Sequence, residues 1–324
     1  MRFQIRRVPL ALLLVAAAFT AEAQQPTLPK IGYLSASEGH SALDSAFFDA
    51  LRNLGHVDGK NVIIEARYSA GHPERFPGFA ADLVRRDVDV IAAWSPTAVA
   101  AAKKATDTIP IVGITLGSDP VSFGWAASLA RPNGNVTGST SGDWLNAKRL
   151  EILKETFPPA ERVAILANRT APSLRGQLAE ADRAGRALKI HAEPHAISGP
   201  ADLEPAFAEM KQRSVNALLV MPDPMLWALR RDIVKLAAEA RLPAMYWTSD
   251  YTEVGGLISY AESLNVLGAR GAIFVDKILK GAKAADLPIE QATTFELVIN
   301  LKTAKALGLA IPPALLARAD EVIE

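Results

Sequence analysis

Apolar runs of strand length alternate along this chain with stretches whose apolar positions follow helical spacing. Residues 31–34 form a compact apolar run ending in Ser35-Ala36-Ser37, and residues 43–54 read as an amphipathic helix. Residues 61–68 alternate β-branched and polar side chains, as a half-buried strand does. Over residues 76–86, Phe76, Phe79, Ala80, Leu83 and Val84 share one helical face. Residues 88–93 predict a buried strand, 98–105 an alanine-rich helix and 109–114 another strand. Strand, helix, strand at this rhythm implies a parallel sheet with helices on both faces.

The same alternation restarts further along. Strands are expected over 162–167, 190–193, 217–221 and 244–246, interleaved with helices over 174–188, 200–213 and 225–240. Between the halves, Arg131-Pro132-Asn133-Gly134-Asn135-Val136-Thr137-Gly138 is rich in turn residues and suits a crossover. After Gly255-Gly256 come one more strand (257–260), a helix (264–280), a strand (295–299) and two short helices. The expected fold is α/β, with two doubly wound lobes; a chain of this length suits two cores better than one.

Composition narrows the setting. Arg2, Arg6 and Arg7 precede an apolar run over 10–19, and Ala21-Glu22-Ala23 places small residues where a signal peptidase reads them. Residues 1–23 therefore read as a cleavable signal peptide, too short in its apolar part for a membrane span. Cysteine is absent, which excludes disulfides, thiolate metal sites and a lipid anchor on a cysteine. Lys+Arg and Asp+Glu both number 35, so no basic excess points to nucleic acid. A soluble periplasmic protein with no stable membrane anchor is expected.

Open parallel sheets bind ligands beyond the carboxyl ends of their strands. The loops there carry Ser35 and Ser37, Trp94 with Ser95 and Thr97, Asp119, Asn168, Asp223, and Tyr246 with Trp247. Each polar residue also suits plain helix capping, and each tryptophan plain packing. Catalytic patterns are missing: no G-x-G-x-x-G, no G-x-x-x-x-G-K-[ST] and no G-x-S-x-G. Among the histidines only His191 and His195 stand four apart, and Pro194 between them forbids a helical metal pair. Both are expected at the surface. No catalytic residue, metal or cofactor is called for.

Several segments carry a family pattern. Ile31-Gly32-Tyr33-Leu34-Ser35, Gly59-Lys60-Asn61-Val62, Val88-Asp89-Val90-Ile91 and Thr108-Ile109-Pro110-Ile111-Val112 come in order. Asp119-Pro120-Val121, Lys148-Arg149-Leu150-Glu151 and Phe295-Glu296-Leu297-Val298-Ile299-Asn300 follow. From Lys30 to the C-terminus the chain resembles the ABC transporter substrate-binding protein family, which includes TrpX-like tryptophan-binding members. The resemblance implies a periplasmic-binding-protein-like I fold: two Rossmann-like lobes, three crossovers and a ligand cleft between. It implies lobe one at 28–139 plus 254–283 and lobe two at 140–253 plus 284–324. In this pattern Ser35 and Ser37 face the cleft, the loop at Ser95 holds a carboxylate, and Asp223 meets a ligand amine. The chain departs from the pattern at the cleft, with Trp94 in place of a common glycine and Ile258-Ser259-Tyr260-Ala261-Glu262 after its Gly-Gly-Leu.

These readings converge on a monomeric solute-binding component of an ABC importer, closing over a small amino-acid-like or carboxylate-bearing solute and docking on an inner-membrane permease. A periplasmic sensor presenting its closed form to a receptor is the alternative. An exported enzyme is disfavoured.

Overall fold

The computed structural model describes residues 28–39, 41–117, 119–140 and 145–324. The expected signal peptide, residues 1–23, lies outside the described residues.

The first lobe opens with β1 (Lys30–Ser35), α1 (Ala42–Asn53), β2 (Ile63–Tyr68), α2 (Phe76–Arg85), β3 (Val90–Ala93), α3 (Pro96–Ala105), β4 (Ile111–Gly113) and β5 (Val136–Thr140). The second runs through α4 (Leu145–Thr156), β6 (Arg162–Asn168), α5 (Leu174–Leu188), β7 (His191–Ile197), α6 (Leu203–Gln212), β8 (Ala217–Val220), α7 (Pro224–Ala228), α8 (Arg230–Glu239), β9 (Ala244–Tyr246), α9 (Asp250–Glu253) and β10 (Ile258–Glu262). The remainder is α10 (Leu264–Leu279), β11 (Glu290–Gln291), β12 (Phe295–Asn300), α11 (Leu301–Leu307), α12 (Pro313–Leu316) and β13 (Glu321–Ile323).

The strands make two sheets, in the orders β11-β5-β4-β3-β1-β2 and β13-β12-β10-β9-β8-β6-β7. All pairings are parallel except β10 with β12. Buried on both faces, the central strands are continuously apolar: Val90 to Ala93 in the first sheet, Ala217 to Val220 in the second. Pro194 is accommodated because β7 is an edge strand.

Helix starts follow local chemistry. Ser41 and Asp44 form a reciprocal capping box on α1, and Leu43, Phe47 and Leu51 bury its inward face. Ser95 caps α3 through its side chain to the Ala98 amide, with Pro96 in the first turn, where a missing N–H costs nothing. α10 packs on α1, so closely that a β-carbon on Gly268 would lie 2.8 Å from the Leu43 carbonyl oxygen.

The chain passes between the lobes three times: after β5, between β10 and α10, and between β11 and β12. Two expected boundaries move. Residues 258–262 belong with the second lobe, because β10 pairs with β9 and β12 there. Residues 284–291 stay with the first, since Ala284 and Ile289 join its core and Glu290–Gln291 pair with Ser139 and Thr140. The turn-rich stretch expected to carry a crossover, 131–138, also holds the start of β5. The single helix expected over 225–240 is two, α7 and α8, meeting at Leu229. No helix among the described residues is long and apolar enough to cross a membrane.

Candidate functional site

A cavity lies where the carboxyl ends of the two sheets face each other. The first lobe contributes Trp94 and Ser95 from the β3–α3 junction and Gly117 after β4. The second contributes Asp223 after β8, Trp227 from α7, Trp247 after β9, Glu262 at the end of β10, and Asn146 and Arg149 from α4. Three indoles thus line the cavity. Trp94 and Trp227 meet edge to face, joining the lobes directly.

The lobes touch elsewhere as well. Gly71, in the left-handed conformation at φ +76, lies so close to α7 that a β-carbon there would be 2.0 Å from the Ala228 Cβ. Only glycine satisfies both the backbone conformation and this approach.

Polar groups in the cavity are held from behind. The Asp223 carboxylate accepts from Asn168 Nδ2 at 3.0 and 3.1 Å and from the Met225 and Leu226 amides at 2.8 and 3.3 Å. The two amides belong to the start of α7, which Asp223 caps. No cation pairs with it among the described residues, and burial pushes its pKa up to about 6, against the pull of those hydrogen bonds.

Arg149 is nearly fully buried on α4. Its Nε donates to the Tyr260 carbonyl at 2.8 Å and its Nη1 to Asn146 Oδ1 at 2.7 Å. Burial pulls its pKa down to about 10, countered by Glu262 and Glu180, so it stays protonated at neutral pH. Glu180 of α5 accepts from the Asn146 amide and side chain at 2.8 and 2.7 Å. That puts a carboxylate on the N-terminal amides of α4, where the helix dipole favours negative charge. Among the described residues, Arg149 Nη2 donates to no protein group. Glu262 has its pKa pushed up to about 7 by burial, despite the attraction of Arg149 and Arg270.

The residues singled out in the sequence divide into three groups. Trp94, Ser95, Asp223 and Trp247 line the cavity. Asn168, at the end of β6, stands behind it and orients Asp223. The remainder face elsewhere. Ser35 and Ser37 are buried and donate to the Asp44 carboxylate, together with the Tyr33 hydroxyl, fixing the start of α1. Tyr246 is buried against Tyr251 with ring centroids 4.6 Å apart. Thr97 lines a separate depression beside α7, and exposed Asp119 closes its own turn by accepting from the Ser122 amide. His191 is exposed as expected, but His195 is buried, between Glu193 and Glu209. Arg149, Trp227 and Glu262 line the cavity too; none was a candidate site residue, Arg149 having entered only within a family motif and Glu262 only within the cleft departure at 258–262.

Comparison with known proteins places the chain. The family described as ABC transporter substrate binding protein matches residues 35–323. A tyrosine-binding protein of Clostridioides difficile (strain R20291) is 26% identical over 274 residues, 83% of this chain and 78% of that one. The structure of an ABC domain in complex with L-Trp from Streptococcus pneumonia matches with a TM-score of 0.85 at 25% identity, covering 92% of this chain and 100% of that one. The ligand-free, open structure of a substrate binding protein with adhesive properties from Clostridium difficile matches at 0.65 and 26% identity, covering 91% and 99%. The chain belongs to the ABC transporter substrate binding protein family, whose members are solute-binding proteins and not enzymes.

Proposed function

We propose that this chain is the monomeric solute-binding component of an ABC importer, which closes over an amino-acid-like solute in the periplasm and delivers it to an inner-membrane permease. Export would use residues 1–23 as the leader. The observation that carries the reading is a buried carboxylate, Asp223, that has no cation partner among the described residues and faces a cavity that both lobes line. A solute ammonium there supplies the missing charge partner, since buried charges require pairing. Trp94, Trp227 and Trp247 then enclose an apolar or flat body.

A closed form, which the meeting of Trp94 with Trp227 and the approach of Gly71 to α7 support, favours a binding protein over a rigid scaffold. At nearly equal identity the chain superimposes better on the tryptophan-bound relative than on the open, ligand-free one. A solute that touches both lobes favours the closed state by its differential affinity for it. Native mass spectrometry of protein released from the periplasm is the direct test. A co-purified low-mass amine is expected, with loss of its uptake on deletion of the gene. Protein that stays in the cytoplasm, or shows no thermal shift with any amino acid or small organic acid, would overturn the reading.

A further inference from the structure

Among the carboxylates lining the cavity, Glu262 is the one that the protein leaves most incomplete. Its Oε1 is buried without a partner, and no N–H or O–H among the described residues donates to its carboxyl group. Asp223, by contrast, accepts from three groups. The cations that attract Glu262 are turned elsewhere. Arg149 of α4 is directed to Tyr260 and Asn146, and Arg270 of α10 donates to the Gln291 carbonyl at 3.1 Å and lies beside Glu290. Buried acceptors are almost always satisfied, and an unsatisfied one that lines a ligand cavity marks a group the ligand completes.

The sheet order fixes where this acceptor stands. β8, β9 and β10 are consecutive neighbours and run parallel. Asp223 follows β8, Trp247 follows β9 and Glu262 ends β10. The two carboxylates therefore bracket an indole, from strands roughly 10 Å apart at two inter-strand spacings.

We infer that Glu262 is a specificity-determining residue: it accepts a hydrogen bond from a second donor on the solute, an amine, amide or hydroxyl, at the end away from the amine held by Asp223. This rests on the reading of the cavity as an amino-acid site. The cavity thus selects solutes with a donor at each end of a body that lies along Trp247. A solute lacking the distal donor leaves Glu262 desolvated and unpaired, which sites built for hydrogen bonding reject strongly.

Isothermal titration of the mature protein with L-phenylalanine, L-tyrosine and 4-amino-L-phenylalanine tests this. Tyrosine and the amino derivative are expected to bind at least about tenfold more tightly than phenylalanine. In Glu262→Leu that preference should collapse to near unity, while Glu262→Gln, which keeps an acceptor oxygen, should retain the tyrosine preference. Equal binding of all three to the wild type, or an unchanged preference in Glu262→Leu, overturns the role of Glu262 and leaves the amino-acid reading standing. Failure of all three to bind folded wild-type protein overturns the amino-acid reading itself, and this inference with it.

Discussion

Trp94 of the first lobe and Trp227 of the second meet across the cleft with ring centroids 6.0 Å apart and planes at 79°. Trp94 is set by the β3–α3 junction, while Trp227 donates its indole N–H to Asp250 and carries Arg230 over its ring at 4.1 Å. The pair therefore joins two independently anchored side chains, and it exists only when the lobes are together. Edge-to-face pairs contribute about 0.5–1.5 kcal/mol beyond the area they bury. Trp94→Ala is expected to weaken solute affinity roughly tenfold or more, read by calorimetry, with both lobes still folded by circular dichroism. Unchanged affinity would remove this contact from the closed state.

Gly71 makes a sharper test of closure. A β-carbon there would lie 2.0 Å from that of Ala228, far inside contact distance. Gly71→Ala should hold the lobes apart and lower affinity at least about tenfold, with a larger radius of gyration by small-angle scattering in saturating solute. Part of the effect is backbone strain at positive φ within the first lobe, of order 1 kcal/mol. The double variant Gly71→Ala, Ala228→Gly separates the two, because it removes the 2.0 Å overlap, leaving the residue-228 Cα at 3.3 Å, and keeps the strain. Recovery of affinity in the double variant is expected; none would place the whole effect within the first lobe.

Asp223 sets a pH dependence on binding. Its pKa in the solute-free protein is raised by burial to about 6, and an ammonium pairs only with the ionised form. Affinity for an amine-bearing solute should accordingly fall as pH drops through about 6 and level off above it. Asp223→Asn keeps the cap on α7 but removes the charge. It is expected to cost about 1–3 kcal/mol of binding and to flatten the profile. A variant that binds like the wild type at every pH would exclude Asp223 from contact with the amine.

Continuous apolar runs were enough to place β1, β3, β4, β6, β8, β9 and β12, because strands buried on both faces leave a continuous signal, while the edge strand β2 showed the alternation of a half-buried one. The site was half legible for the same reason: Trp94, Asp223 and Trp247 directly follow such strands. α4 left little trace, since its inward positions include Asn146 and Arg149, which pattern reading takes for solvent-facing residues. Glu262 was hidden likewise, a carboxylate in a buried place. Trp227 vanished into one long expected helix because nothing local announces the break at Leu229. Ser35 and Ser37 misled in the opposite sense. They stand where a cleft residue belongs, but the Asp44 carboxylate, eleven residues from Tyr33, takes up their hydroxyls. Such pairings depend on how strands and helices meet, which local spacing does not encode.

Glu262 ties stability to pH in a direction that can be measured without knowing the solute. Burial raises its pKa from 4.5 to about 7, so between those values the folded chain holds a proton that the unfolded chain releases. Its contribution is fully present below about pH 4.5 and is lost as pH rises through about 7. Solute-free protein should therefore be less stable at pH 8 than this group allows at pH 5. Glu262→Gln, a neutral isostere, should recover roughly 1–3 kcal/mol at pH 8 and change little near pH 4, by urea unfolding at each pH. Asp223 adds a smaller loss of the same sign, complete by about pH 6, so the variant should keep the lower part of the slope and lose the upper. Parallel profiles for wild type and variant would show that Glu262 is already ionised at neutral pH, with Arg149 and Arg270 outweighing its burial.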